Sequence, residues 1–336
     1  MTGQRGISEF ELVARYFAPL ARDFPGAYGL LDDVALILPA PGNELVVKTD
    51  AIVGGIDFPA TTPADLIARK ALRVNLSDLA AKGAVPRAYL LDLILPDTVD
   101  EAWISTFATG LANDQEQYRV HLIGGDMSAT SGPVVVAVSA FGEVACGRVI
   151  RRGGARPDDV VFVTGTVGDA ALGLSLLGGA PAGLEPASVA FLAARYRLPE
   201  PRVALGPHLQ DVATAAIDVS DGLVADMRHI CAVSQLSAVI EADRVPLSTS
   251  ARQAIGDDGE RLAAVLSGGD DYEILFTAPR SATNKIAELS HSSGIPISAI
   301  GRMRPVEGPP NVVVLDNCGQ AITLAREGWT HFAREP

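Results

Sequence analysis

Arg151-Arg152-Gly153-Gly154-Ala155-Arg156-Pro157, with Val160-Val161-Phe162-Val163 just beyond it, divides this chain in two. A basic, glycine-rich run that ends in proline has no apolar period and reads as a join. The four β-branched or aromatic residues after it read as a fresh strand. On both sides of the join, strand-like and helix-like segments alternate, and each half carries a Gly-Gly-Asp, at 124–126 and 268–270. That alternation predicts an α/β (α+β) protein of two domains, 1–150 and 151–336, and 336 residues are enough for two full cores.

Before the join, Ser8-Glu9-Phe10-Glu11 forms a capping box at the head of a helix bearing Phe10, Val13, Ala14 and Phe17. Residues 44–49 predict a strand that ends at Asp50. Thr62-Pro63-Ala64-Asp65 starts a helix whose apolar face is Leu66, Ile67, Leu72, Leu76 and Leu79, and which Gly83 ends. Strands are expected at 88–95, 122–123 and 134–141, and a helix at 101–118. After the join, Val160–Val163 leads through Thr164-Gly165-Thr166-Val167-Gly168 into a helix, and 180–187 is a loop. The strand Thr214–Val219 enters a helix at Ser220 or Asp221, with further strands at 272–277 and 312–315.

Hydrophobic content of 48% and charged content of 20% describe an ordinary globular chain. Net charge is −13, with only Lys48, Lys70, Lys82 and Lys285 as lysines, which argues against a nucleic-acid partner. No run approaches the ~18 apolar residues of a membrane span. The start, Met1-Thr2-Gly3-Gln4-Arg5, lacks a secretory apolar stretch, and Cys146, Cys231 and Cys318 form no Cys-X-X-Cys pair, so a reducing cytoplasm is expected.

Six acidic motifs carry the chemistry: Leu31-Asp32-Asp33, Lys48-Thr49-Asp50, Asn75-Leu76-Ser77-Asp78, Gly124-Gly125-Asp126, Asp218-Val219-Ser220-Asp221-Gly222 and Gly268-Gly269-Asp270-Asp271. Most stand beside glycine or at the edge of an apolar run. Carboxylates gathered ~4 Å apart would repel by about 4 kcal/mol per pair at an effective dielectric near 20, so a cation is expected between them. Magnesium suits oxygen ligands and shares them with substrate phosphates. Asp78 falls near a helix C-terminus, where the dipole disfavours an anion, which favours a ligand role over a structural one. A tight turn is the plain reading of Gly124-Gly125-Asp126, and a helix cap explains Ser220 and Asp221 but not Asp218. Arg148, Arg151, Arg152 and Arg156 are either phosphate clamps or solvated linker residues. Trp329 either anchors the tail or stacks on a heteroaromatic ring. The Gly-X-Gly dinucleotide fingerprint, the P-loop and the Gly-X-Ser-X-Gly elbow are all missing, and no histidine pair has metal spacing.

Taken in order, Glu9–Phe17, Val74–Ala84, Leu122–Asp126, Ile217–Leu223, Leu266–Glu273 and Gly328-Trp329-Thr330-His331-Phe332 resemble the thiamine-monophosphate kinases. That family belongs to the superfamily of aminoimidazole ribonucleotide synthetase, selenophosphate synthetase and a hydrogenase maturation protein. The resemblance implies a two-domain aminoimidazole ribonucleotide synthetase-like fold, with an N-terminal domain that dimerises and a C-terminal α/β domain that completes the site in a groove between them. It implies that Asp33, Thr49, Asp50, Asp78, Asp126, Asp218 and Asp221 hold several Mg2+ ions. Gly125, Asp126, Arg152 and Ser220 would contact ATP, and Asp57, Asp270 and Trp329 would contact thiamine monophosphate. No covalent or general-base residue is expected. Two positions depart from the family pattern. Asp57, in Ile56-Asp57-Phe58, stands where members often have histidine, and Lys48 stands where some have a hydroxyl residue, so that its charge could substitute for an ion.

The expected reaction is direct phosphoryl transfer from ATP to thiamine monophosphate, in a cytoplasmic homodimer. The rivals are an ATP-using synthetase of the same superfamily and a non-catalytic nucleotide or thiamine-phosphate sensor, whose best support is Asp57. A selenophosphate synthetase would want a cysteine before Cys146, and the hydrogenase-maturation protein a cysteine at the C-terminus, where this sequence reads Arg334-Glu335-Pro336.

Overall fold

The computed structural model describes residues 8–179, 183–256, 258–324 and 328–329. The chain divides into two compact units. One comprises Met1–Leu79 and Ala84–Gly147, the other Ala80–Gly83 and Arg148–Pro336.

The first unit begins with α1 (Glu9–Leu12). Ser8 accepts the Glu11 amide while the Glu11 carboxylate accepts from the Ser8 amide and hydroxyl, so the expected capping box is present. Next come β1 (Asn43–Val53), α2 (Ala64–Ala81), β2 (Val85–Pro96), α3 (Glu101–Tyr118), β3 (His121–Thr130) and β4 (Val135–Ala145). The sheet order is β1-β4-β2-β3, so β1 and β3 are its two edges. Strand β1 continues three residues past Asp50, paired antiparallel with β4 throughout.

One face of the sheet carries the buried Val136, Val138 and Ala140 of β4, and α2 lies over it. A Cβ added to Gly142 on that face would meet Leu79 of α2 at 3.3 Å. Helix α2 buries Ile67, Leu72, Leu76 and Leu79, as its periodicity predicts. It ends in a Schellman arrangement: Gly83 has φ +73°, its amide bonds Ala80, and the Ala84 amide bonds Leu79. Helices α2 and α3 are tied by Asp114, fully buried, which receives both Arg69 and Arg73. They approach closely at Gly110, where a Cβ would lie 2.4 Å from the Asp65 carbonyl oxygen.

Gly124-Gly125-Asp126 is not a turn after a short strand. It lies inside β3, paired in parallel with Leu90, Leu91 and Asp92 of β2. The reason is steric: a Cβ on Gly125, at φ +151°, would sit 1.8 Å from the Leu91 carbonyl oxygen. Glycine is what lets the two backbones pair there.

The second unit contains β5 (Val160–Thr164), α4 (Asp169–Leu176), α5 (Pro186–Arg197), β6 (Ala215–Asp218), α6 (Leu223–Ser234), β7 (Ser237–Glu241), α7 (Thr249–Ile255), α8 (Gly259–Ser267), β8 (Ile274–Ala278), α9 (Thr283–Ser293), β9 (Ile297–Arg304) and β10 (Val312–Leu315). Its six-stranded sheet has the order β10-β7-β9-β5-β8-β6, antiparallel except for the β10–β7 pair. Alternation within the strands feeds two cores. Val161, Val163 and Leu275 pack with Leu223, Val224, Met227 and Ile230 of α6 on one face. Phe162, Ile274 and Phe276 pack with Leu205, Leu209 and Ile286 on the other. Helix α6 starts at Leu223, later than expected, because Gly222 has φ +125° and holds the preceding residues out of the helix.

Candidate functional site

The expected ligands in the first unit fall into two groups. Lys48 and Asp50 are two residues apart on β1 and therefore share the face that α2 covers. Asp78 comes to them from the last turns of α2. The Lys48 ammonium lies 2.9 Å from Asp78 Oδ2 and 3.1 Å from Asp50 Oδ2. Burial favours the neutral amine, but the two carboxylates outweigh it and hold the Lys48 pKa above its ordinary value. Thr49 points to the opposite face, where the Ser139 hydroxyl lies 3.1 Å from its own.

Asp126 also lies on that opposite face, but on the far edge strand. It is in register with Asp92 of β2, and the Ser128 hydroxyl donates to it. Three strand spacings separate the β1 and β3 edges, roughly 14 Å along the sheet. One copy of the sheet therefore keeps Asp126 apart from Thr49 and Asp50. Asp33 is exposed in the segment leading to β1. The Asp57 carboxylate accepts the Val53 amide at 2.7 Å and closes the turn after β1, while the buried Lys70 donates to the Asp57 carbonyl.

In the second unit, three segments meet. Residues 219–222 and 268–273 are laced by backbone bonds: Asp270 N–H to Ser220 O at 2.9 Å, Tyr272 N–H to Val219 O at 2.8 Å, and Val219 N–H to Glu273 O at 2.8 Å. The Trp329 amide bonds the Asp221 carbonyl at 3.0 Å, which docks the tail on the same loop. The glycines permit this contact. A Cβ on Gly269 would lie 2.0 Å from Ser220 O, and one on Gly328 would lie 2.3 Å from the Ala225 Cβ. Ser220, Asp221, Asp270 and Trp329 thus share one corner, with Trp329 half exposed. Thr330, His331 and Phe332, the rest of the closing motif, lie outside the described residues.

The acids of Gly268–Glu273 have different tasks. Asp271 is buried and accepts the amides of Gly168 and Ala170 at the head of α4, and burial raises its pKa well above the carboxylate range. Glu273 is buried between Arg195, Arg202 and Thr164. Asp270 is instead held at φ +68°, a left-handed conformation that costs a non-glycine residue of order 1 kcal/mol, and Tyr272 at φ +53° donates its hydroxyl to it. Such strain is tolerated where a side chain has to be aimed.

Asp226 is the residue that motif reading missed. Its Oδ2 accepts the amides of Ser220, Asp221 and Gly222, a role the sequence assigned to a Ser220 cap. Burial first, then the charges of Asp218 and Asp221, push its pKa up to about 8, against the pull of the amide bonds. Asp221, Asp226 and His229 each place a ligand atom within 4.8 Å of the others. The signal was an aspartate set among the apolar positions of α6.

Of the arginines near the join, Arg148 pairs with Asp211 and Arg152 is exposed. The donor chemistry fits a hard cation in both units. In the first, a lysine ammonium already stands between two carboxylates. In the second, burial and the charges of Asp218 and Asp221 raise the pKa of Asp226.

These two units and their acidic corners define a class. Family models described as "AIR synthase related protein", N-terminal domain and C-terminal domain, match residues 31–144 and 156–309. A thiamine-monophosphate kinase of Caulobacter vibrioides is 40% identical over 96% of this chain and 91% of its own. The crystal structure of a thiamine-monophosphate kinase from Stenotrophomonas maltophilia superposes with TM-score 0.78 at 40% identity, covering 87% of this chain and 91% of the other. A structure described as AaThiL complexed with AMPPCP and TMP gives TM-score 0.76 at 30% identity, covering 91% and 97%. The chain belongs to the thiamine-monophosphate kinase family.

Proposed function

We infer that this chain transfers the γ-phosphoryl group of ATP to thiamine monophosphate, giving thiamine diphosphate and ADP. The observation that carries this reading is the corner where Asp270 and Trp329, the expected substrate contacts, are bonded through the backbone to Ser220 and Asp221, expected on the nucleotide side. A relative of this family has been described with an ATP analogue and TMP together.

The acceptor is a phosphate monoester. With a second pKa near about 6 it is largely dianionic at neutral pH, so no general base has to remove a proton. The chain's task is to align two polyanions and screen their repulsion. Ser220 and the exposed Arg152 bind the nucleotide in this reading, as does Gly125. The Trp329 indole offers a face to the heteroaromatic rings, and the Asp270 carboxylate suits their positive charge. Asp33, Thr49, Asp50, Asp78, Asp126, Asp218 and Asp221 would hold magnesium, which when bound neutralises phosphate oxygens and stabilises charge on the transferring group.

The working unit in this reading is a homodimer. Leu45 and Val47 are exposed on edge strand β1, and Leu36 and Leu38 are exposed in the segment that precedes it. A second copy is the fitting cover, with the β1 edge of one copy beside the β3 edge of the other. That arrangement would also bring Asp126 within reach of the Thr49 edge. Among the described residues no helix is long and apolar enough to cross a membrane, and the three cysteines are free thiols, which suits the cytoplasm.

The test is to incubate the pure protein with ATP, Mg2+ and thiamine monophosphate and separate the products. Thiamine diphosphate formed one-to-one with ADP is expected. ATP hydrolysis without it, or binding without turnover, would favour the synthetase or the sensor.

A further inference from the structure

Lys48 stands at the point between Asp50 and Asp78 that a bridging cation would take. Its ammonium contacts one oxygen of each, at 3.1 and 2.9 Å. The side chain is 29% exposed and that of Asp78 only 14%, so this pairing is partly shielded from water. A magnesium ion bridging the same two oxygens would sit about 2.0–2.1 Å from each, which places it against Nζ and alongside a charge of its own sign. Ammonium and divalent ion therefore exclude one another there.

With lysine present the Asp50–Lys48–Asp78 group carries one net negative charge; with a neutral residue at 48 it would carry two. We propose that Lys48 is a tethered counter-ion that replaces one magnesium between Asp50 and Asp78, so that this chain binds one divalent ion fewer than it would with a neutral residue at position 48. The inference rests on the reading above that Asp50 and Asp78 are metal ligands. It assigns the first unit a fixed, metal-independent part of its charge compensation, and Asp126 and the acids of the second unit keep their own demand for metal.

The test counts Mn2+ bound per chain in the presence of AMPPCP, from the paramagnetic resonance of the free ion. Lys48→Met should bind one more Mn2+ than the wild type, Lys48→Arg the same number, and Lys48→Met/Asp78→Asn should lose the extra ion. Equal counts for wild type and Lys48→Met, both falling when Asp78→Asn is added, would overturn the lysine inference and leave the metal reading standing. Counts indifferent to Asp50→Asn and Asp78→Asn in every background would sink the metal reading and the inference with it.

A measurement on unaltered protein covers the case in which the variants fold poorly. Lysine acetylation followed by mass spectrometry should label Lys48 more slowly than Lys285, at a rate that saturating Mn2+ and AMPPCP do not raise. Faster labelling of Lys48 once metal is added would mean that the ion evicts the ammonium, and would overturn the proposal.

Discussion

Asp126 lies within β3 and Asp218 ends β6, edge strands of different sheets, and the proposed chemistry asks the same of both: to hold charge where phosphates meet. Asp126→Asn and Asp218→Asn should each lower kcat by at least about a hundredfold, the scale of losing one transition-state contact. Far-ultraviolet circular dichroism without magnesium should be unchanged. Near-normal rates in both variants would remove the metal assignment. Asp226 makes a different kind of prediction. Its folded-state pKa of about 8 is above the ordinary 3.8, so between those values the folded protein holds a proton that the unfolded chain releases. Stability of the metal-free protein should therefore fall as pH rises through that window, since the carboxyl must ionise beside Asp218 and Asp221. Urea midpoints measured from pH 5 to 8 should show the decline, and Mg2+ should flatten it. A metal-free midpoint that is flat or rising with pH would contradict the assignment.

At the scale of elements, the structure depends on backbones that approach without side chains. Gly110, inside α3, meets the carbonyl of Asp65 at the start of α2 and is far from any expected ligand in sequence. Gly110→Ala should cost about 1–3 kcal/mol in chemical denaturation, the usual penalty of overpacking, although alanine is the better helix former. A gain in stability would show that the helices can separate freely. The same physics marks what the sequence could tell. The capping box at Ser8, helices α2 and α3, and strands β1 and β5 announced themselves through local pattern. Strand β3 did not, because Gly124-Gly125 punctuates a sequence in the way a turn does, and only the nearby Leu91 carbonyl explains the glycine. The start of α6 was misplaced because its amides are gathered by Asp226, six residues beyond Ser220, and not by Ser220 itself. The site was legible to the same degree. The Lys48-X-Asp50 spacing placed both on one face, whereas the arrival of Asp78 depends on how α2 lies over the sheet. Nothing local to Gly268-Gly269-Asp270-Asp271 distinguished the strained Asp270 from the buried cap Asp271.

For the whole molecule, two consequences can be measured. The exposed Leu45 and Val47 on an edge strand need a cover, and the proposed one is a second copy. Light scattering should give about twice the 35.0 kDa chain mass, and Leu45→Glu/Val47→Glu should halve it while circular dichroism is retained. A wild-type mass of one chain would refute the pairing. Charge at this scale also has a role: in the proposed reading an acidic chain with four lysines meets polyphosphates through bound cations, helped by arginine. The most direct test is anomalous diffraction from a crystal grown with Mn2+, AMPPCP and thiamine monophosphate. Peaks within bonding distance of Asp126, Asp218 and Asp221 and of the nucleotide phosphates are predicted. Nucleotide bound without any manganese at those carboxylates would contradict the account.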